Sequence, residues 1–254
     1  MVRAIMHGCN GKMGQTITGI CKEDTGIEIV AGIDLYDGVP NDYPVFQTIS
    51  QCDVKADVII DFSNAKAVDD LLEYAVERQL PVVLCTTGLS EEQLQKVEAT
   101  YEKVAILKSA NMSLGINTLL SLLQDAAKVL APAGFDMEIV EKHHRLKLDA
   151  PSGTAIALAD SMNEALGNEY HMVYDRSQVR QQRDAKEIGM SAVRGGTIVG
   201  EHEVIFAGTD EVITFKHTAY SKAIFGKGAV QAGKFLAGKK PGYYDMQDVI
   251  AAEK

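Results

Sequence analysis

A glycine-rich loop near the start of the chain limits the folds open to its first half. The heptapeptide GCNGKMG, residues 8–14, follows a short apolar segment and opens a helical segment at residues 12–23. A strand, a glycine loop and a helix in this order are the context of a dinucleotide fingerprint, although the spacing is GxxGxxG rather than GxGxxG. Glycines allow a tight turn and let N–H groups at the helix N-terminus approach a pyrophosphate. A glycine-rich turn that binds nothing is the alternative.

Short apolar segments alternate with amphipathic helical segments through this first half. The order is typical of βαβ units around a parallel sheet. Small or polar residues follow most of the strands, at the end where open α/β sheets place their ligand crevice. The predicted strands are residues 2–6, 27–34, 57–62, 81–86 and 104–108, and the predicted helices are residues 12–23, 65–78 and 91–101.

The pattern changes after a long apolar helix predicted at residues 113–130. Strand-like segments then become frequent, which predicts a second, α+β domain with a mixed or antiparallel sheet and one buried helix. A helical segment at residues 226–238 is expected to fold back onto the first domain, and the polar stretch 176–187 to be an exposed loop or frayed helix. We expect a dinucleotide-binding domain at 1–112 plus 224–254 and a substrate-binding and oligomerisation domain at 113–223. The predicted elements of the second domain are strands 137–141, 189–194, 198–207 and 211–218 and helix 154–166.

An acidic residue lies where a dinucleotide fold needs one. Asp34 ends the second predicted strand about twenty residues after the glycine loop, where a carboxylate accepts hydrogen bonds from the adenosine ribose. Asp34 repels a 2′-phosphate and so favours NADH, whereas Lys12 in the loop offsets that charge and allows NADPH. We expect both cofactors to be accepted, with NADH at least as good.

Composition excludes several classes of function. The chain has 254 residues, 46% hydrophobic and 24% charged, and a net charge of -10, which disfavours a nucleic-acid partner. No apolar stretch approaches the ~20 residues of a membrane span, and the N-terminus lacks a signal-peptide core. Four cysteines at irregular spacing favour reduced thiols and a cytoplasmic location.

Ionisable residues are concentrated in one segment of the second half, EIVEKHHRLKLDAPSGTA at residues 138–155. His143 and Lys147 are candidates for proton transfer, and the cations Arg145 and Lys142 are expected to disfavour the charged form of Lys147. Packed or surface histidines and a solvated lysine are the alternatives. Metal ligation by His143 and His144 is disfavoured because adjacent residues on a strand point to opposite faces, so no metal is expected.

The end of this segment predicts an anion site. Pro151 and the following residues resemble a helix start, where backbone N–H groups and hydroxyls bind a carboxylate and glycine leaves room for it. The residues expected to contribute are Ser152, Gly153 and Thr154.

The same segment closely resembles the signature of the 4-hydroxy-tetrahydrodipicolinate reductase family, which acts in diaminopimelate and lysine biosynthesis. Other stretches agree with that family and span essentially the whole chain. They are the GxxGxMG loop, Asp61-Phe62-Ser63, Thr86-Thr87-Gly88, Ala110-Asn111-Met112-Ser113, Gly200-Glu201-His202 and residues 225–229.

The resemblance implies a two-domain subunit within a homotetramer built through the sheets of the second domain. It implies loss of the 4-hydroxyl of a small cyclic dicarboxylate as water and hydride delivery from NADH or NADPH. Proton handling maps to His143 and Lys147, and substrate-carboxylate contacts map to His144, Lys147, Gly153 and Thr154. The expected cofactor contacts are Gly8, Asn10, Gly11, Lys12, Met13, Asp34, Phe62, Thr86, Thr87, Gly88, Ala110, Asn111, Met112, Lys222 and Phe225.

Three positions depart from the family pattern. Lys12 and Lys222 stand where arginine is common, which keeps the charge, loses the bidentate fork and leaves the choice between NADH and NADPH open. His7 replaces a small apolar residue, and we expect it to be a packed histidine at a strand end. The competing functions are another Rossmann dehydrogenase, acting on a small amino acid or an aldehyde, and an NAD(H)-binding sensor without turnover.

Overall fold

The computed structural model describes residues 1–178 and 180–252. It divides into two units, one formed by Met1–Leu114 with Ala223–Lys254 and the other by Gly115–Lys222. The assignment of cofactor binding to the first unit and of substrate binding to the second remains a prediction.

A seven-stranded sheet forms the centre of the first unit, and all of its strand pairs are parallel. With elements numbered along the chain, its spatial order is β12-β6-β5-β4-β1-β2-β3. The strands are β1 (Val2–His7), β2 (Ile27–Ile33), β3 (Val45–Phe46), β4 (Val58–Asp61), β5 (Val82–Leu84), β6 (Ala105–Leu107) and β12 (Gly242–Tyr244). The helices are α1 (Lys12–Glu23), α2 (Val68–Arg78), α3 (Glu91–Thr100), α6 (Ala223–Leu236) and α7 (Met246–Ala252).

Helices cover both faces of this sheet because side chains alternate between the faces along each strand. Met6 and Ile60 pack in a core with α1, α6 and α7, whereas Ile5 and Ile59 pack in a second core with α2 and α3. The predicted Rossmann-type parallel sheet is therefore confirmed.

Element ends differ from the sequence prediction by a few residues, and the prediction missed two strands, one helix and a 3-10 turn at Ile49–Gln51 in this unit. The predicted helix 65–78 begins as a 3-10 turn, Ala65–Ala67, before α2. The predicted helix 226–238 is α6, and it returns to the first unit as expected. The missed strands and helix, β3, β12 and α7, have two, three and seven residues.

The second unit contains a five-stranded mixed sheet of order β11-β10-β7-β9-β8. Strand β10 is antiparallel to both its neighbours, whereas β9 is parallel to both of its own. The strands are β7 (Asp136–His143), β8 (His171–Val173), β9 (Glu187–Arg194), β10 (Gly200–Ala207) and β11 (Val212–Ala219), and the helices are α4 (Leu114–Leu130) and α5 (Gly153–Ala165). The predicted mixed sheet with a buried helix is confirmed, although β8 was missed.

One face of this sheet packs against α4 and α5. Met137, Ile139, Val204 and Phe206 are buried there with helix residues. Alternation places Glu141, His143 and His202 on the same face, beyond the apolar core. The opposite face carries charged pairs, since Lys142 contacts Glu201 and Glu203 and Lys216 contacts the same two carboxylates.

The described residues of the polar stretch 176–187, which leave out residue 179, form a loop up to Glu187, where β9 begins. The loop is exposed, as expected, except for the half-buried Arg183, which reaches back to the sheet. Its guanidinium donates to Asp136 Oδ1 at 2.8 Å, to the Met137 carbonyl at 3.0 Å and to the Glu187 carbonyl at 2.7 Å. No helix among the described residues is both long and apolar enough to cross a membrane.

Candidate active site

The glycine loop lies at the point where the strand order of the first sheet reverses. Strand β1 pairs with β2 on one side and with β4 on the other, and open α/β sheets bind ligands outside the carboxyl ends at such a point. Gly8 has φ +83, and a Cβ there would lie 2.6 Å from the Phe62 carbonyl oxygen. A Cβ at Gly14 would lie 2.2 Å from the Gly8 carbonyl oxygen. Only glycine fits these two positions without moving backbone.

The glycine loop leads directly into the N-terminus of α1, where no described side chain acts as a cap. Gly11 is the N-cap of α1, and no side chain caps this end of the helix. Its first-turn N–H groups lack intrahelical partners and carry partial positive charge, so they form a site for a phosphate group. The exposed side chain of Lys12 and the half-buried side chain of Met13 begin this helix.

Asp34 holds the glycine loop in place. Its Oδ2 accepts the Asn10 backbone N–H at 2.9 Å, and its Oδ1 accepts the Tyr36 N–H at 3.1 Å. The Asn10 side chain donates to the Tyr36 carbonyl and accepts from Asn41 at 2.8 Å. The structure therefore brings together two predicted cofactor residues, Asn10 and Asp34, and adds Asn41, which the sequence did not indicate.

The other predicted cofactor residues of this unit lie at or near carboxyl ends of strands. Phe62 follows β4, Thr86 is buried after β5, and Thr87 and Gly88 are exposed, with φ +75 at Gly88. After β6, Ala110 is exposed, Asn111 is half-buried and Met112 is buried. Phe225 packs against the core from α6. Lys222 is exposed and is the last residue of the second unit.

A buried acid lies beneath this edge of the sheet and was not predicted. Asp61 is fully buried, its Oδ1 accepts the Ser63 hydroxyl at 2.6 Å, and His7 Nδ1 lies 2.9 Å from the same oxygen. Burial raises the pKa of Asp61, but the bonds from His7, Ser63 and Thr86 outweigh it and leave the pKa below its ordinary value. His7 is a packed strand-end histidine, as expected, and its contact with Asp61 joins the ends of β1 and β4.

These features fit a nicotinamide dinucleotide. The two glycines occupy a cradle that Cβ atoms would fill, the start of α1 has no side-chain cap, and an acidic residue follows β2. The residues that would hold the cofactor are those of the glycine loop and Asp34.

The second unit holds His143 in a buried ion-pair network. His143 Nδ1 lies 2.6 Å from Glu141 Oε2, and the Glu141 side chain is 1% exposed. Arg194 clamps the same carboxylate with two bonds, Nη1 to Oε2 at 2.8 Å and Nη2 to Oε1 at 2.6 Å. Burial raises the pKa of Glu141, but the bonds from Arg194, His143 and the Ser152 N–H outweigh it and lower the pKa overall. Glu141 is therefore ionised at neutral pH.

Helix α5 begins within the same network. Ser152 is its N-cap, and its Oγ accepts the Ala155 N–H at 3.2 Å and lies 3.0 Å from His202 Nε2. The Ser152 N–H donates to Glu141 Oε1 at 3.0 Å. The Ser152 hydroxyl is thus engaged within the protein, and a substrate contact would have to form beside these bonds. Burial, followed by repulsion from His143, lowers the pKa of His202 to about 4, so His202 is neutral.

Open space lies in front of the first residues of α5. A Cβ built at Gly153 meets no atom within 4 Å, and Gly153 is exposed. Thr154 is half-buried next to it, and His144 is half-buried after β7. This space can admit an anion to the helix start, although the Ala155 N–H already donates to Ser152 Oγ and the Gly153 N–H to Asp149.

Lys147 has a different charge environment from the one that its neighbours in sequence suggested. Lys142 points to the opposite face of the sheet, where it pairs with Glu201 and Glu203. Lys147 Nζ lies 2.8 Å from Asp149 Oδ1, and this bond lowers the pKa of Asp149. The expected influence of Lys142 on Lys147 therefore stays a prediction, and the pairing of Lys142 with two glutamates gives it no support.

Sequence reasoning missed Glu141, Arg194 and His202. The spacing of Glu141 and His143 contains one signal, because residues two apart on a strand share a face. Arg194 is 53 positions from Glu141, and only the pairing of β7 with β9 brings it there.

Comparison with known proteins identifies a family over almost the whole chain. The profile of the dihydrodipicolinate reductase N-terminus matches residues 2–112, and the profile of its C-terminus matches residues 115–250. The 4-hydroxy-tetrahydrodipicolinate reductase of Caldanaerobacter subterraneus subsp. tengcongensis is 53% identical over 250 residues, which is 98% of each chain. The enzyme of the same name from Clostridium novyi is 46% identical over 253 residues, which is 100% of each chain.

A solved structure has the same fold. The dihydrodipicolinate reductase from Paenisporosarcina sp. TG-14, determined with dipicolinate bound, aligns with a TM-score of 0.81 at 24% identity. The alignment covers 96% of this chain and 97% of that one.

Proposed function

The chain belongs to the dihydrodipicolinate reductase family, and we propose that it reduces 4-hydroxy-tetrahydrodipicolinate to tetrahydrodipicolinate in diaminopimelate and lysine biosynthesis. The chain is a nicotinamide-dependent oxidoreductase. The observation that carries the proposal is full-length identity of 53% to a reductase of that name. A buried acid–histidine network beside an accessible helix N-terminus supports it.

The reaction removes the 4-hydroxyl as water and adds a hydride and a proton to the ring, and the nicotinamide supplies the hydride. The protein must therefore orient both molecules and manage the proton. The glycine loop and the start of α1 bind the pyrophosphate, and Asp34 accepts hydrogen bonds from the ribose. These roles use the backbone geometry that Gly8 and Gly14 allow.

The substrate is a cyclic dicarboxylate. The N–H groups of Gly153 and Thr154 bind one carboxylate at the start of α5, with Ser152 holding that turn as its cap. His144 and Lys147 add positive or hydrogen-bonding groups to the carboxylate contacts. The Paenisporosarcina enzyme binds dipicolinate, which is also a cyclic dicarboxylate, and this agrees with the proposed substrate class.

Proton transfer is assigned to Lys147 and His143. Lys147 is the proximal acid, because its ammonium group is partly accessible, with 22% of the side chain exposed, and its ion-pair partner among the described residues is the exposed carboxylate of Asp149. His143 is buried and held by Glu141, which suits a group that tunes or relays a proton.

NADH and NADPH are both accepted, with NADH at least as good. Asp34 places a carboxylate at the ribose position and disfavours a 2′-phosphate, whereas exposed Lys12 offsets part of that charge.

The assembly is a homotetramer formed through the open face of the second sheet. Positively and negatively charged side chains alternate at the centre of this face, and exposed apolar side chains lie farther from the centre. Val193 is 45% exposed and Val212 is 62% exposed on that face. Self-complementary charge and exposed apolar surface suit a symmetric interface. A cytoplasmic location remains a prediction from cysteine usage.

The test is oxidation of NADH, and separately of NADPH, followed by absorbance with freshly generated 4-hydroxy-tetrahydrodipicolinate. We expect rapid oxidation by the wild type and a loss of roughly a hundredfold in kcat in Lys147→Ala. Folded protein that binds NADH but oxidises neither cofactor would contradict the proposed reaction. A full-rate Lys147→Ala variant would remove Lys147 from the mechanism and leave the reaction intact.

A further inference from the structure

We propose that Glu141 and Arg194 are positioning residues that fix His143 in one tautomer, so that its Nε2 is the atom that exchanges a proton. The inference rests on the proposed function, which assigns proton handling to His143. All the residues involved lie within the second unit.

The tautomer follows from counting the partners of one carboxylate. An ionised carboxylate offers about four lone-pair positions and no donor. Three are taken by groups that can only donate: two guanidinium N–H groups of Arg194 and the backbone N–H of Ser152. The fourth partner is His143 Nδ1 at 2.6 Å, which must also be a donor. His143 therefore carries its proton on Nδ1 when neutral, and Nε2 carries the lone pair.

Arg194 keeps this carboxylate charged although it is buried. A buried ion is costly unless it is paired and hydrogen-bonded on every side. The planar fork of arginine meets both carboxylate oxygens, and its Nη2 also donates to the Asp149 carbonyl at 2.6 Å. The guanidinium is thus held by the Glu141 carboxylate and by the Asp149 carbonyl, and rotation would break the hydrogen bonds to both.

Gly200 leaves room at the other ring nitrogen. Glu201 pairs with Lys142 in the antiparallel pairing of β10 with β7, so Gly200 lies opposite His143, and a Cβ built there would lie 3.1 Å from Nε2. Any larger side chain would crowd this atom. Glycine therefore leaves space at Nε2, while Glu141 occupies Nδ1.

The same carboxylate links His143 to the predicted substrate-carboxylate site. Glu141 Oε1 accepts the N–H of Ser152, the residue that caps α5. One rigid group therefore sets the position of both the histidine and the helix start. Preorganised pairs of this kind hold reacting groups to within a fraction of an ångström.

The first experiment measures the tautomer directly in the whole protein. Histidine is labelled with 15N, and the ring nitrogen shifts of His143 are recorded at the alkaline end of a pH titration and assigned by their loss in His143→Asn. We expect a protonated Nδ1 and an unprotonated Nε2. A proton on Nε2 would overturn the proposal. This readout needs no turnover, so it stands even if the reductase assay fails, and it needs no foldable Glu141 variant.

The second experiment replaces the carboxylate with an amide. Glu141→Gln has one accepting oxygen, which Arg194 will take, so its NH2 group faces His143 and turns Nδ1 into an acceptor. We expect the proton to move to Nε2, which leaves the histidine in the wrong tautomer for proton exchange at that atom. We therefore expect kcat to fall by about a hundredfold or more, with KM changed by no more than about threefold. Two results would overturn the proposal. One is an unchanged kcat, and the other is the same loss of kcat with the proton still on Nδ1.

Glu138→Gln is the matched control. Glu138 lies on the same strand, β7, and is also held by arginines, with Arg176 at 2.6 Å and Arg183 at 3.2 Å. It faces the opposite side of the sheet. We expect its kcat and the His143 ring signals to match those of the wild type. An equal loss of kcat in this variant would show that any broken ion pair on β7 has the effect, and would overturn the specific role of Glu141.

Discussion

Adding one methyl group at Gly14 is expected to displace the glycine loop from its cofactor geometry. A Cβ at this position would lie 2.2 Å from the Gly8 carbonyl oxygen and 2.6 Å from that of Cys9. Ordinary contact begins at 3.4 Å, so α1 must move by about 1 Å relative to the loop. Both contacted atoms are backbone, so rotating a side chain cannot relieve them.

Such a shift affects binding and stability by different amounts. Hydrogen bonds from the first-turn N–H groups lengthen from about 2.9 Å beyond 3.5 Å, where they are lost. We expect the dissociation constant for NADH to rise by about 30- to 100-fold in Gly14→Ala, since a 1 Å misplacement can cost about a hundredfold. Overpacking costs about 1–3 kcal/mol of stability, and each kcal/mol lowers Tm by about 2–4 °C in a chain of this size.

Gly19→Ala in the same helix is the control. A Cβ at Gly19 meets no atom within 4 Å, so the substitution adds only helix propensity. It should stabilise the protein by about 0.5–1 kcal/mol and leave NADH affinity unchanged. Fluorescence titration with NADH and thermal unfolding without cofactor measure the two effects. A folded Gly14→Ala protein that binds NADH within about threefold of the wild type would refute the steric argument.

Three further predictions concern cofactor choice, assembly and acid stability. Asp34→Asn removes the charge that opposes a 2′-phosphate and should raise the NADPH to NADH ratio of kcat/KM by about tenfold; a wild type that favours NADPH by more than about a hundredfold would contradict this role. Val193→Asp should dissociate the tetramer, as measured by light scattering, and a wild-type monomer would exclude that interface. The bond from Lys234 holds the pKa of Asp24 below its ordinary value, so the ionised carboxylate stabilises the fold above the unfolded pKa of about 4 and loses that effect as pH falls through its lower folded pKa. The difference in unfolding free energy between wild type and Asp24→Asn should therefore be present at pH 6 and disappear in acid, and a constant difference would show that Asp24 does not act through its charge.

The longer strands and helices were predictable because the pattern of apolar residues within each segment indicates how that segment packs. Consecutive apolar residues in β1 and β4 point to the two faces in turn and supply two cores at once, and Gly8 and Gly14 mark a turn that larger residues cannot make. Strands of two or three residues, such as β3 and β12, were missed because they are too short to show a period. Their position depends on the edges of a sheet that other segments build.

The site was predictable only in part. The candidates His143 and Lys147 came from a segment rich in ionisable groups, but their partners depend on strand register and loop path. Arg194 reaches Glu141 through pairing across 53 positions, and Lys147 turns to Asp149 rather than sharing a face with Lys142. Closeness in sequence is a poor guide here, because Lys142 is on β7 whereas Lys147 lies in the loop after it.

The return of the chain to its first unit determines the order in which the molecule can be completed during synthesis. Residues of α6 and α7, among them Val230, Leu236 and Met246, are at most 1% exposed in the core beneath the cofactor sheet. They are translated only after the whole of Gly115–Lys222. At about 5–20 residues per second, the ribosome needs several seconds for that intervening unit. The second unit can thus acquire all its own strands while the first unit still lacks part of one covering layer, which the final helices complete.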